Sequence, residues 1–274
     1  MGNQLVYHYC TIPTAISMLK NQEIWMTSIR NLNDSNEAIG VYKLFFSELE
    51  RYDTAGRFRE LLELARQPGA IELYENPPTE YPEYVTCFCQ NPDAVSQWIA
   101  YADNGFGLAL GFDEEDFLQI DKSQGLDYRA IRYVSTEDMR QTIPAIYEYL
   151  SNNRCDNIPA MMDMAMDKIK ERYAIGRDHK TFHYQSECEK RVIYNYPVRV
   201  TGLPQGWEVR DIGVYAKKSM INTYVPLGFP KEAVKAIVTG PKYQSSAYEL
   251  EIALRALGYN TNAIQIVKST SGYR

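Results

Sequence analysis

The chain has 274 residues, of which 45% are hydrophobic and 23% charged, and its formal net charge is −6. That is globular composition, long enough for one large domain or two small ones. An acidic balance without a run of five like charges excludes a tight, nonspecific grip on nucleic acid, while leaving enzymatic action on one open.

"LVYHY" reads as an opening strand, and Thr11 with Pro13 announces a helix through Lys20. "IWMTS" is a second short strand. "NLNDSNE" is a turn-and-cap cluster, followed from Glu37 by a helical run to about Leu62 with breaks near Tyr52 and Gly56. "QPGAIELYENPPTEYPEY" holds four prolines and reads as a loop or lid. "YVTCFC" is a strand, "DAVSQWIAYA" a helix capped by Asp93, and "FGLALGF" another strand. "YRAIRYV" reads as one strand, followed by a helical stretch over 137–173 interrupted near 152–159. The second half of "FHYQSECEKRVIY" alternates like a strand, and "VKAIVTG", a helix around 248–257 and "AIQIVK" close the chain. Strands and helices mix without a regular βαβ rhythm, which predicts an α+β fold.

Five cysteines (Cys10, Cys87, Cys89, Cys155, Cys188) without a C-x-x-C pair fit reduced thiols. The start shows no signal peptide. It also departs from the myristoylation pattern, with Val6 at the Ser/Thr position, and no apolar run approaches membrane-spanning length. A cytoplasmic protein with no membrane partner is expected.

Each candidate site residue has an ordinary structural account beside a functional one. Period-2 geometry sets Glu187, Glu189 and Arg191 on one strand face. Such a face is either solvated, with Arg191 screening the carboxylates, or a site in which Arg191 orients one carboxylate towards a developing positive charge. His8, between two tyrosines, fits a structural donor on a strand. His179 and His183 stand four apart with no third ligand at motif spacing, and suit structural or surface roles. Cys87 and Cys89 read as core thiols, and Met161, Met162, Met164 and Met166 as core filling. Gly105, Gly107 and Gly111 depart from the G-x-G-x-x-G phosphate loop and lead into a strand. Turn chemistry accounts for Asn33 and Asp34. Trp98 and Tyr101, three apart on a helix face, form one aromatic surface for the core or for a flat heteroaromatic ring.

Taken in order, "LVYHYCT", "IWMTSIRNLNDSNE", "VTCFCQNPDAVSQWIAYADNGFGLALGFD", "IRYV" and "FHYQSECEKRVI", with a looser "VKAIVTGPK", resemble a bacterial family, domain-of-unknown-function family 2971. Cys10, Ser35 and Cys89 depart from residues common there. At a greater distance the pattern is similar to the ADP-ribosyltransferase fold. That resemblance implies one domain over 1–274, a split mixed β-sheet core with surrounding helices, and a helical insertion at about 135–175. It further implies an enzyme that consumes NAD as a substrate, without a metal. The implied activity is ADP-ribosyl transfer to a protein or nucleic-acid acceptor, in the role of a toxin or anti-phage effector with an antitoxin or regulatory partner. NAD hydrolysis, or binding of a nucleotide, protein or nucleic acid without chemistry, is the alternative. The implied catalytic residues are Glu189, meeting the nicotinamide ribose 2′-hydroxyl, and Glu187, guiding the acceptor. His8, Tyr9, Ser28, Asn33, Trp98, Tyr101 and Arg191 are implied to bind NAD, with Ser28 or Tyr101 as the middle residue of a triad begun by His8 and ended by Glu189.

Overall fold

The structure, a computed structural model, describes residues 4–29, 39–75, 83–118, 125–173, 179–196, 210–217 and 220–273. The chain divides into two compact units, one of Met1–Leu32, Tyr81–Ala130 and Ser186–Arg274, the other of Asn33–Glu80 and Ile131–Gln185.

The first unit is built on a ten-stranded sheet. Its strands are β1 (Leu5–Cys10), β2 (Glu23–Ser28), β3 (Glu83–Cys89), β4 (Leu108–Asp113), β5 (Leu126–Ala130), β8 (Glu189–Asn195), β9 (Gly213–Lys217), β10 (Met220–Gly228), β11 (Val234–Thr239) and β12 (Gln265–Lys268). The order is β12-β11-β4-β1-β3-β2-β10-β9, with β8 paired to β3 and β5 to β8. All pairs are antiparallel except β11 with β12. The fold is therefore α+β with a mixed, largely antiparallel sheet.

Strand β3 organises this sheet. One of its edges pairs with β8 along the whole strand, from Glu83↔Asn195 to Cys89↔Glu189. The other edge is shared: β1 takes it at Tyr7↔Cys89, and β2 takes it at Val85↔Thr27 and Tyr84↔Ser28. Between these two contacts, over Thr86, Cys87 and Phe88, the ladder parts. There the His8 imidazole reaches across, with Nδ1 2.9 Å from the Cys87 carbonyl oxygen.

Because directly paired residues share a face, the register assigns every strand residue to one side. One face carries Val6, Met26, Phe88, Leu110, Phe112 and Tyr194 into the main core. Helix α1 (Ile12–Asn21) and helix α9 (Ala247–Ala256) contribute Met18, Leu19, Leu250 and Leu254 to it. Helix α1 starts as its sequence predicts: the Thr11 hydroxyl accepts the Thr14 N–H, and Pro13 fills the first turn. The opposite face carries Tyr9, Cys89, Ala109 and Val238 against Trp98 of α5 (Val95–Tyr101).

The second unit packs α2 (Gly40–Tyr52), α3 (Arg59–Ala65), α4 (Ala70–Glu75), α7 (Thr136–Asn152) and α8 (Ile158–Tyr173), with the parallel pair β6 (Arg132–Val134) and β7 (His179–Thr181). Its core joins Tyr42, Phe45, Leu49, Ile143 and Ile169 with Met161, Met162 and Met166, so the methionine cluster fills a core as expected. The helical stretch expected over 137–173 is α7 and α8, with the break at 153–157 and Pro159 in the first turn of α8. The break after Tyr52 is also as expected. There Asp53 accepts the backbone N–H groups of Arg57 and Phe58 at 2.9 and 2.6 Å and the Tyr147 hydroxyl at 3.1 Å.

Three local expectations are corrected. The proline-rich stretch contains helix α4, and its residues 76–82 lie outside the described residues. "YRAIRYV" breaks at Ile131 into β5 and β6, which belong to different sheets. Asp93 does not cap α5, whose N-cap Ala94 has no side-chain bond. Instead Asp93 Oδ1 accepts Trp98 Nε1 at 2.7 Å and Ser269 Oγ at 2.5 Å, and Oδ2 accepts the Thr270 and Ser271 N–H groups and the Thr270 hydroxyl. Gly107 serves close backbone approach: a Cβ there would sit 2.2 Å from the Cys10 carbonyl oxygen. Helix α6 (Glu114–Leu118) completes the regular elements. Among the described residues, no helix is long and apolar enough to cross a membrane.

Candidate functional site

The charged face of β8 is not solvated. Glu189 is 7% exposed and Arg191 2%. Their side chains meet with Arg191 Nε donating to Glu189 Oε1 at 2.6 Å, a short charge-assisted bond that fixes the carboxylate's direction. Burying both charges is costly unless the geometry is good, and the short Arg191–Glu189 bond meets that condition. The register places Cys89, Cys87 and Val85 beside Glu189, Arg191 and Ile193 on the same face. Strand β5 brings Asp127 opposite Ile193 and Arg129 opposite Arg191, and Arg129 Nε donates to Asp127 Oδ2 at 2.5 Å.

Glu187 does not share that strand face. It ends the 3₁₀ turn Phe182–Glu187, and Cys188 then takes a left-handed φ of 44° before β8 begins at Glu189. The positive φ breaks the period-2 alternation, so the Glu-x-Glu spacing does not act as strand geometry here. Glu187 nevertheless stays near: its charge, with those of Cys188 and Glu189, adds to burial in raising the Cys89 thiol to about 12. Cys89 is thus a neutral core thiol, as expected.

His8 and Glu189 lie on opposite faces of the sheet. Tyr7 pairs with Cys89, and Cys89 with Glu189, so these three share a face and His8 faces the other way. The His8 ring meets Phe88 of the main core edge-on, with centroids 5.8 Å apart. Burial lowers its pKa, outweighing the opposing effect of the Cys87 bond. A neutral imidazole holding the carbonyl where the ladder parts is the structural donor that the strand position suggests. Ser28 is buried on that same face, paired with Tyr84.

Tyr9 is on the Glu189 face, but its hydroxyl is engaged: it donates to the Asn91 carbonyl at 2.7 Å and accepts the Ala94 N–H at 2.9 Å. Burial raises its pKa. Trp98 is fully buried, edge-on to Tyr9 at 4.6 Å and bonded to Asp93, so the indole packs inside rather than walling an open surface. Tyr101, on the same helix, is 39% exposed, and the two do not form one aromatic surface. Asn33 lies outside the described residues, as do Asp34 and Glu37; nothing is described of the side chains of His179 and His183. Among the described residues no group of three His, Cys, Asp or Glu is placed to hold a metal ion.

Two features escaped the sequence. Tyr7, half-buried, stands in the same ladder row as Glu189, and only the register reveals it. On the other face Lys190 Nζ pairs with Glu114 Oε1, which also accepts the Tyr128 hydroxyl at 3.1 Å.

A family model described as a protein of unknown function (DUF2971) matches residues 97–192, and the resemblance to that family holds over this segment. Trp98, Tyr101, Glu187, Glu189 and Arg191 fall inside the match, and strands β1, β2 and β3 before it. No curated protein and no solved structure was found to match the chain.

Proposed function

We propose that the chain consumes NAD at a site centred on Glu189, transferring ADP-ribose to a macromolecular acceptor. The observation that supports this reading is the buried Glu189 carboxylate held by Arg191 within the family-matching segment. The bond from ribose C1′ to nicotinamide breaks with its electron pair leaving on nicotinamide, and positive charge builds on the ribose. A fixed carboxylate accepting the ribose 2′-hydroxyl stabilises that charge without reorganising. The acceptor then adds to C1′ and loses a proton, a step for which Glu187, next to Cys188 at the strand's entrance, is the nearby base. With water as acceptor the same site hydrolyses NAD. The reading gives His8 and Trp98 structural duties, and draws on the fold resemblance for the chemistry. A toxin or anti-phage role belongs to the same proposal.

The test is nicotinamide release from NAD by the full chain, compared with Glu189→Gln. Transfer-state stabilisation by one fixed group is worth about 10²–10³ in rate, and Gln should lose that much. Equal, non-zero release by both proteins removes Glu189 from the reaction. One observation favours a second reading, binding without chemistry: His8 stands on the face opposite Glu189, so the triad implied by the resemblance does not converge. Under it the wild type binds NAD with no release under any acceptor.

A further inference from the structure

At the other end of the Glu189 face, β2, β10 and β9 bring three aromatic rings together. Trp25 stacks on Tyr224 with centroids 3.9 Å apart and planes 18° from parallel, and Tyr215 lies 5.6 Å from Trp25 and 6.0 Å from Tyr224. Gly213, paired with Tyr224, makes room for this: a Cβ there would fall 2.2 Å from Tyr224 Cζ. The cluster is not sealed in a core, since Trp25 is 39% exposed. In the next row of the same face, Asn222 pairs with Tyr215. Asn222 is 1% exposed, and among the described residues neither its Nδ2 nor its Oδ1 has a hydrogen-bond partner.

A buried carboxamide without partners is costly, and a leucine of similar volume would remove the cost. Its presence beside an open aromatic platform has a simple chemical account. A carboxamide offers a donor next to an acceptor and pairs with a ligand edge that offers the reverse, as asparagine does with adenine N6 and N7. Aromatic side chains supply a stacking surface for any flat ring.

We propose that Asn222 with Trp25, Tyr224 and Tyr215 forms a binding subsite for a flat heteroaromatic ring bearing a donor beside an acceptor. The ring lies on the aromatic cluster and its edge bonds the Asn222 carboxamide. Adenine carries this pair in its amine and ring nitrogen, and nicotinamide in its own carboxamide. The inference rests on these four residues and stands whether or not Glu189 acts on NAD.

The test follows the indole N–H signal of Trp25 in 15N-labelled full chain, assigned by its loss in Trp25→Phe. Adenosine, purine riboside (which lacks the amine) and nicotinamide are titrated separately. A saturable shift with adenosine, about tenfold weaker with purine riboside, assigns the subsite to a nucleobase. A shift with nicotinamide alone assigns it to a carboxamide-bearing ring. In either case Asn222→Leu weakens binding about tenfold or more, while raising the melting temperature of the ligand-free protein. Asn222→Asp, which keeps the volume and loses the donor, gives the same loss of affinity if the leucine variant does not fold. Glu189→Gln leaves this binding unchanged, which separates it from the reaction proposed above. Unmoved Trp25 signals at millimolar adenosine and nicotinamide overturn the proposal, as does wild-type affinity in both Asn222 variants.

Discussion

Replacing Asp93 by alanine should cost about 3 kcal/mol of stability, and the figure follows from which of its five bonds are shielded. The two bonds from Thr270 are exposed, so their donors return to water at little cost. The bonds from Trp98, Ser269 and Ser271 are partly buried, and at about 1 kcal/mol each they supply the estimate. The Trp98 N–H pushes it upward, because the indole is fully buried and is left without that acceptor. Asp93→Asn, which keeps one acceptor oxygen, should lose roughly half as much. Burial acts to raise the Asp93 carboxyl's pKa, but the bonds from Ser269, Trp98 and Thr270 together hold it below its usual value. The folded chain therefore keeps Asp93 ionised where the unfolded chain takes up its proton. The stabilisation is complete above about pH 4 and is lost as pH falls through the lower folded value. Guanidinium unfolding followed by tryptophan fluorescence, at pH 7 and at steps down to pH 3, measures both effects. A loss under 1 kcal/mol at pH 7, or a gap between wild type and Asp93→Asn that stays constant into acid, refutes the reasoning.

Further outcomes follow from the same structure. His8 has a lowered pKa, so the unfolded chain binds a proton near pH 6.5 that the folded chain refuses; stability should fall as pH drops below that value, and the slope should vanish in His8→Asn, as unfolding across pH 5–8 will show. Gly107→Ala should destabilise by more than about 3 kcal/mol through its clash with the Cys10 carbonyl, whereas Gly272→Ala, with open space around it, should be neutral in thermal unfolding. Iodoacetamide at pH 8 should label exposed Cys188 well before Cys10 or Cys89, whose buried thiols are both raised to about 12, and peptide mass spectrometry of native and unfolded protein reads the order.

Elements governed by local chemistry were legible in the sequence. Thr11 and Pro13 start α1 by capping and fixed φ, and the helical period over 137–173 survives as α7 and α8. Strand β10 contains Pro226, which pairs with Trp25, and proline argues against reading a central strand there. The site was legible only in part. That Glu189 and Arg191 share a face follows from spacing alone, but their burial depends on what the fold covers. Which face His8 takes is set by the Tyr7↔Cys89 pairing, between residues 82 positions apart, and no local pattern encodes it. Glu187 left the strand through the backbone of Cys188, a conformation that cysteine rarely signals.

The way the two units share the chain also bears on how the protein is made. The second unit has its last residue at Gln185, so its core of α2, α3, α7 and α8 is complete before any of β8, β9, β10, β11 and β12 is translated. The first unit has β1 and β2 ahead of the second unit in the chain, yet β8, β9, β10, β11 and β12 all come after Gln185. Until they arrive, β3 has one edge without its longest partner and β1, β2 and β4 form an open fragment. The nascent chain therefore carries a finished helical unit beside unpaired strand edges, and it is those edges that a chaperone would have to shield.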